Sequence, residues 1–136
     1  MRFLSIYRAA ETGTPPTAEE MAAMGALIEE MTAAGTLIAT EGCLPSALGA
    51  RVRRSGDDLR VTDGPFTESK ELVAGFWIWQ VKSMDEAIEW LKRAPFDDDA
   101  EIEIRPVFEL EDFGAELTPQ AREQEERLRA TIEGRK

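Results

Sequence analysis

Residues 2–8 (RFLSIYR) alternate with a period of two, which predicts a strand with Leu4 and Ile6 on one face and Phe3, Ser5 and Tyr7 on the other. After the breaker Gly13 to Pro16, Thr17 reads as an N-cap with Glu20 three residues on. The helix that follows carries Met21, Met24, Leu27, Ile28 and Met31 at helical spacing and ends near Gly35. Residues 36–41 predict a second strand. Arg51 to Arg54 and Leu59 to Thr62 flank a Gly56-Asp57 turn, the pattern of a hairpin with Val52 opposite Val61 and Arg53 opposite Arg60. Residues 63–66 (DGPF) form a turn. Residues 72–81 (LVAGFWIWQV) are apolar on both faces, as a central strand is. Ser83 and Glu86 cap a helix with Met84, Ala87, Ile88 and Leu91 on one stripe, and Pro95 stops it. In residues 101–108 (EIEIRPVF), Ile102 and Ile104 face one way and Glu103, Arg105 and Val107 the other.

The order is β-α-β, hairpin, β-α-β. It predicts an α+β, ferredoxin-like split βαβ domain over residues 1–110 with an inserted β-hairpin. Right-handed crossovers put both helices on one sheet face. Residues 111–136 read as a mostly helical C-terminal extension, opening at Thr118-Pro119, with a thin stripe of Leu117, Ala121, Leu128 and Ile132. The uncovered face is expected to carry Phe3, Tyr7 and one side of residues 72–81, either the Trp77 and Trp79 side or the Phe76 and Ile78 side. Both sides are too apolar to face water. Burying one Trp removes roughly 150–250 Å² from solvent, several kcal/mol at about 25 cal/mol/Å². A homodimer with sheets face to face, a dimeric α/β barrel, is the predicted solution.

Composition narrows the partners. A formal charge of −11 and 27 acidic against 16 basic residues disfavour nucleic acid and anionic membranes. No apolar run approaches a membrane span. Cys43 is the single cysteine, so no intrachain disulfide forms, and a reducing, cytoplasmic setting is expected. The sequence has no histidine, which removes the usual acid/base at neutral pH, histidine triads and histidine zinc sites. No metal and no cofactor is expected.

The remaining chemistry rests on a few side chains. Asp63, beside the Gly-Pro turn, is either an acid/base at a pocket mouth or a turn acceptor. Glu103 and Arg105 share a strand face and are either an anion clamp or a salt bridge. Tyr7 is a hydrogen-bond donor or an interface aromatic. Arg53 opposite Arg60 calls for negative charge nearby. The reading is a dimeric small-molecule-binding protein or cofactor-independent enzyme. Its polar pocket lies at the open sheet face, catalytic Asp63 acts with Tyr7, Glu103 and Arg105 as ligand-binding residues, and the ligand is small and anionic or amphipathic. The alternative is a non-catalytic regulatory or protein-interaction module that uses the tail.

The string V-T-D-G-P-F at Val61 to Phe66, followed by Glu68, Lys70 and Glu71, resembles the signature of the DGPF branch of YCII-related proteins. Gly75-Phe76, Asp85-Glu86-Ala87 and Glu103-Ile104-Arg105-Pro106-Val107 match in order and spacing, so the resemblance covers roughly residues 1–109. It implies a ferredoxin-like domain that dimerises as an α/β barrel, without a settled activity. Relatives are associated with a His–Asp pair in a cleft. Here Asp63 is the Asp candidate and the histidine is missing, which puts that mechanism out of reach.

Overall fold

The chain divides into two units, Met1–Pro106 and Val107–Lys136; the computed structural model describes residues 1–67 and 71–135. The first unit runs β1 (Arg2–Arg8), α1 (Ala18–Ala33), β2 (Leu37–Gly42), β3 (Ala50–Ser55), β4 (Asp58–Asp63), β5 (Val73–Gln80), α2 (Met84–Leu91) and β6 (Glu101–Pro106). Its main sheet is antiparallel in the order β2-β5-β1-β6, and β3-β4 form a separate ribbon. Each βαβ half contributes one central and one edge strand, the split βαβ order that the sequence predicts. Among the described residues no helix is long and apolar enough to cross a membrane.

Local chemistry sets the helix starts. Thr17 Oγ1 accepts from the Glu20 N–H at 3.1 Å, and Ser83 Oγ accepts from Glu86 N–H at 3.2 Å. Glu86 reaches back to the Lys82 N–H at 2.7 Å, so the loop before α2 is tied to its first turn. Leu27 and Met31 of α1 and Ala87 and Leu91 of α2 meet Phe3, Trp77 and Trp79 in one core, so both helices cover one sheet face.

The expected face assignment of β1 is reversed. Phe3 is 1% exposed beneath the helices, and Tyr7 lies on that same face. The register explains it: Phe3 pairs with Trp79, Ser5 with Trp77 and Tyr7 with Gly75, and directly paired residues share a face. Ser5, on the same face, is fully buried, and its hydroxyl accepts from Trp79 Nε1 at 2.9 Å. The opposite face, which no helix of this unit covers, therefore carries Leu4, Ile6, Phe76 and Ile78, all half-buried.

The ribbon pairs as predicted, with Val52 opposite Val61 and Arg53 opposite Arg60, and every residue in it is exposed. Gly56 takes the turn at φ 63°. The DGPF turn is fastened by backbone. Gly64 donates to the Gly49 carbonyl at 3.0 Å, and Phe66 N–H donates to Ser46 Oγ at 3.2 Å. The Arg51 guanidinium lies 3.9 Å over the Phe66 ring. Gly64 is not among the positive-φ glycines, so φ freedom is not its role. A Cβ there would stand 1.7 Å from the Ser46 carbonyl oxygen, so the position needs the absence of a side chain. Glu68 and Lys70 of the sequence motif lie outside the described residues.

In the second unit, Phe108 stacks on Phe113 at 5.0 Å, and α3 (Pro119–Glu133) starts where Thr118 Oγ1 accepts from Ala121 N–H. Arg129 bonds Glu109 and the Phe108 carbonyl, each at 3.4 Å, which folds α3 back on the start of the unit. The half-buried edge of α3 is Ala121, Glu125 and Arg129; Leu128 and Ile132 of the expected apolar stripe are 47% and 60% exposed.

Gly64→Ala is expected to lower unfolding free energy by about 1–3 kcal/mol, the range for forced overpacking, measured by denaturant titration. An unchanged midpoint would mean that the turn and Ser46 separate at little cost.

Candidate functional site

The covered face is built in rows across the sheet. One row is Leu37, Trp79, Phe3 and Pro106; the next is Thr40, Trp77, Ser5 and Ile104. Two indoles fill these rows. The third is Gly42, Gly75, Tyr7 and Ile102, so two adjacent strands offer no side chain beneath the N-terminal half of α1. That helix supplies little from above: Gly25 faces the gap, and a Cβ there would meet nothing within 4 Å. The apolar stripe of α1 is consequently fully buried only at Leu27 and Met31; Met24 packs against the core in part, and Met21 remains 56% exposed.

The result is a cavity of about 1020 Å³ between α1, the ends of β2 and β5, residues 9–16 and Pro95 to Asp97. Met21, Met24, Ile28, Trp77 and Phe96 give it apolar walls. Glu11, Glu20 and Asp97 bring carboxylates to its border, and none of its described lining residues is basic. A second cavity of about 220 Å³ shares Glu11, Leu44, Leu72 and Val73 with the first and is bordered by Phe66 of the DGPF turn. Glu11 links the two, since its carboxylate accepts from Ser46 N–H at 2.6 Å and from Ser46 Oγ at 3.0 Å.

Tyr7 is the central polar group. Its hydroxyl oxygen accepts from Asp97 N–H at 3.1 Å, and its ring meets Phe96 edge-on, with centroids 6.2 Å apart. Burial raises the phenol pKa above its ordinary value, and the Asp97 and Glu20 charges push it the same way, against the backbone N–H of Asp97. Trp77 is 3% exposed, and its indole N–H is buried without a hydrogen-bond partner.

The sequence candidates do not converge. Tyr7 lines the cavity. Glu103 and Arg105 lie across the sheet from it, opposite Ile6 and Leu4. There Glu103 takes Arg8 Nη1 at 3.2 Å and Arg105 Nη1 at 3.3 Å, an ion-paired cluster with Arg105 exposed. Asp63 is exposed at the end of β4, paired with Ala50, and lines neither cavity. Among the described residues no group of three or more Cys, Asp or Glu side chains is arranged to hold a metal ion. Sequence reasoning missed Trp77 and Asp97 as site residues. The available signal was glycine where bulk is expected, at Gly25 inside a helix and at Gly42 and Gly75 inside strands.

An uncharacterized protein of Rhizobium meliloti (strain 1021) is 36% identical over 59 residues, 43% of this chain and 48% of that protein. The chain thus spans about half the length of that curated relative. A solved structure, a 5-chloro-2-hydroxyhydroquinone dehydrochlorinase from Burkholderia phenoliruptrix AC1100 in complex with 2,5-dihydroxybenzoquinone, is 22% identical with a TM-score of 0.49, covering 82% of this chain and 98% of that one. The YCII-related domain model matches residues 1–111, and the chain belongs to that family.

Proposed function

We propose that the first unit binds a small molecule in the cavity beneath α1, as a binding protein or cofactor-independent enzyme of the DGPF branch. The observation that carries this reading is the glycine row. A core that places an indole in each of two rows leaves the Gly42–Gly75 half of the third without side chains, beside a volume suited to a small organic ligand. Tyr7 is its polar anchor. Asp97 N–H occupies a lone pair of the phenol oxygen, which leaves the phenol proton for a ligand acceptor. Its raised pKa keeps it neutral, so it serves as a donor or general acid and not as a phenolate base at neutral pH.

In this reading the opposite sheet face meets a second copy. Leu4, Ile6, Phe76 and Ile78 form the apolar centre of the contact, and the Arg8–Glu103–Arg105 cluster forms its polar edge. Asp63 belongs to the turn, and the cavity chemistry proceeds without it.

Light scattering at micromolar protein is expected to give the mass of two chains; a one-chain mass overturns the paired arrangement. Tyr7 is the single tyrosine, so alkaline absorbance titration isolates it. Its midpoint is expected above the ordinary 10.0. Because the folded value is raised, its contribution to stability is complete below pH 10.0 and is lost as pH climbs through the folded midpoint. Tyr7→Phe removes that loss. Gly25→Phe tests the cavity itself. In a thermal-shift screen of small aromatics, amines and carboxylates, a ligand at a hundred times its dissociation constant is expected to add about 2.7 kcal/mol to the wild type and nothing to Gly25→Phe. Equal shifts in both proteins would place binding elsewhere.

A further inference from the structure

Residues 10–16 form one wall of the large cavity, each of them lining it, and they belong to no helix or strand. The two ends of this segment are fixed. Ala9 N–H donates to the Leu72 carbonyl at 3.1 Å, and Thr17 caps α1. Between them Thr14 N–H bonds Thr12 Oγ1 at 3.3 Å, within the segment itself. Among the described residues, the one hydrogen-bonded tie from residues 10–16 to the rest of the unit is the Glu11 carboxylate. It takes Ser46 N–H on one oxygen and the Ser46 hydroxyl on the other. Bonds to a carboxylate are roughly twice as strong as neutral ones, and a segment with so few other ties takes its position from its anchor.

Ser46 is also the junction to the DGPF turn. Its hydroxyl has a single proton, which goes to Glu11, and the same oxygen accepts from Phe66 N–H at 3.2 Å. Its carbonyl accepts from Gly49 N–H at 2.9 Å, and the Gly49 carbonyl accepts from Gly64 N–H at 3.0 Å. The backbone of Gly64 lies so close to the Ser46 carbonyl that no Cβ fits between them. Turn and cavity wall are therefore joined through one serine. Yet no residue of the DGPF turn lines the large cavity, and neither does Ser46.

We infer that Glu11 is a positioning residue: through Ser46 it couples the DGPF turn to the cavity wall, so that the turn sets the position of residues 10–16 and, with it, the affinity for a ligand. The effect on affinity rests on the cavity reading above; the coupling of turn to wall does not. The signature turn then acts on the cavity from outside it, by holding the serine that holds the wall.

The test uses the full chain and reads the amide resonances of Thr12 and Gly13 without any ligand. Gly64→Ala is expected to move them in the wild type and to leave them in place when Glu11→Ala is already present. Equal movement with and without Glu11, or none in either, overturns the coupling. If Gly64→Ala fails to fold, Ser46→Ala decides: it is expected to move both resonances, and Ser46→Thr, which keeps the hydroxyl, to hold them at their wild-type positions. Affinity is then read by calorimetry with para-methylacetophenone, a neutral ketone whose oxygen can accept from the Tyr7 hydroxyl. A wall in place in only about a tenth of the molecules raises the apparent dissociation constant about tenfold. That loss is expected for Ser46→Ala and for Glu11→Ala, with the double variant no weaker than Glu11→Ala alone. Wild-type affinity in Ser46→Ala, or losses that multiply in the double variant, overturn the inference and leave the cavity reading standing. A ketone that moves neither the Met21 nor the Met24 methyl resonance in the wild type counts against the cavity reading, and the amide comparison still decides the coupling.

Discussion

The first unit depends on the pairing of β1 with β5. That register places Phe3 against Trp79 and Ser5 against Trp77, and it commits both large rings to the side that the helices cover. A slip of one residue would send both indoles to the opposite face and leave α1 and α2 without a floor. The Ser5–Trp79 hydrogen bond helps to hold the register, because a buried indole N–H and a buried hydroxyl satisfy each other only in this alignment. The glycine row, the cavity and the position of Tyr7 are then consequences of the same alignment, one step further along the strands.

The sequence read well where periodicity and capping decide the outcome. Thr17 and Ser83 each sit at a helix N-cap as expected, α3 opens at Thr118-Pro119, and the ribbon register around Gly56-Asp57 was legible from the turn residues. The central strand announced itself by being apolar on both sides. Which of its sides turns inward was not legible, since Trp77 and Phe76 are equally good core residues. For β1 the expectation put Phe3 and Tyr7 on the uncovered face, and the register puts them under the helices with the buried Ser5. A single buried hydroxyl needs only one partner, and that partner is 74 residues away in sequence. Local patterning cannot see such a pair.

The same limit applies to the candidate site. Acidic and basic side chains draw attention in a sequence, so Asp63, Glu103 and Arg105 stood out. The structure places these on a turn and on an ion-paired sheet face, while the cavity is defined mostly by residues that are small. An empty volume is a relation between three elements, here Gly25 from above and Gly42 and Gly75 from below. No one of these glycines is informative alone. Tyr7 stood out as the polar aromatic of β1, yet its neighbour Asp97 approaches from a segment whose path the pattern of residues does not specify.

The two floor glycines differ in how freely they can diverge. At Gly75 a Cβ would press on the Glu41 carbonyl oxygen at 2.9 Å, backbone against backbone, whereas at Gly42 its nearest neighbour would be 3.9 Å away. Descendants of this protein can therefore shrink their chamber by accepting alanine or serine at Gly42, but at Gly75 only by moving a strand. The cavity thus has one adjustable wall and one fixed one.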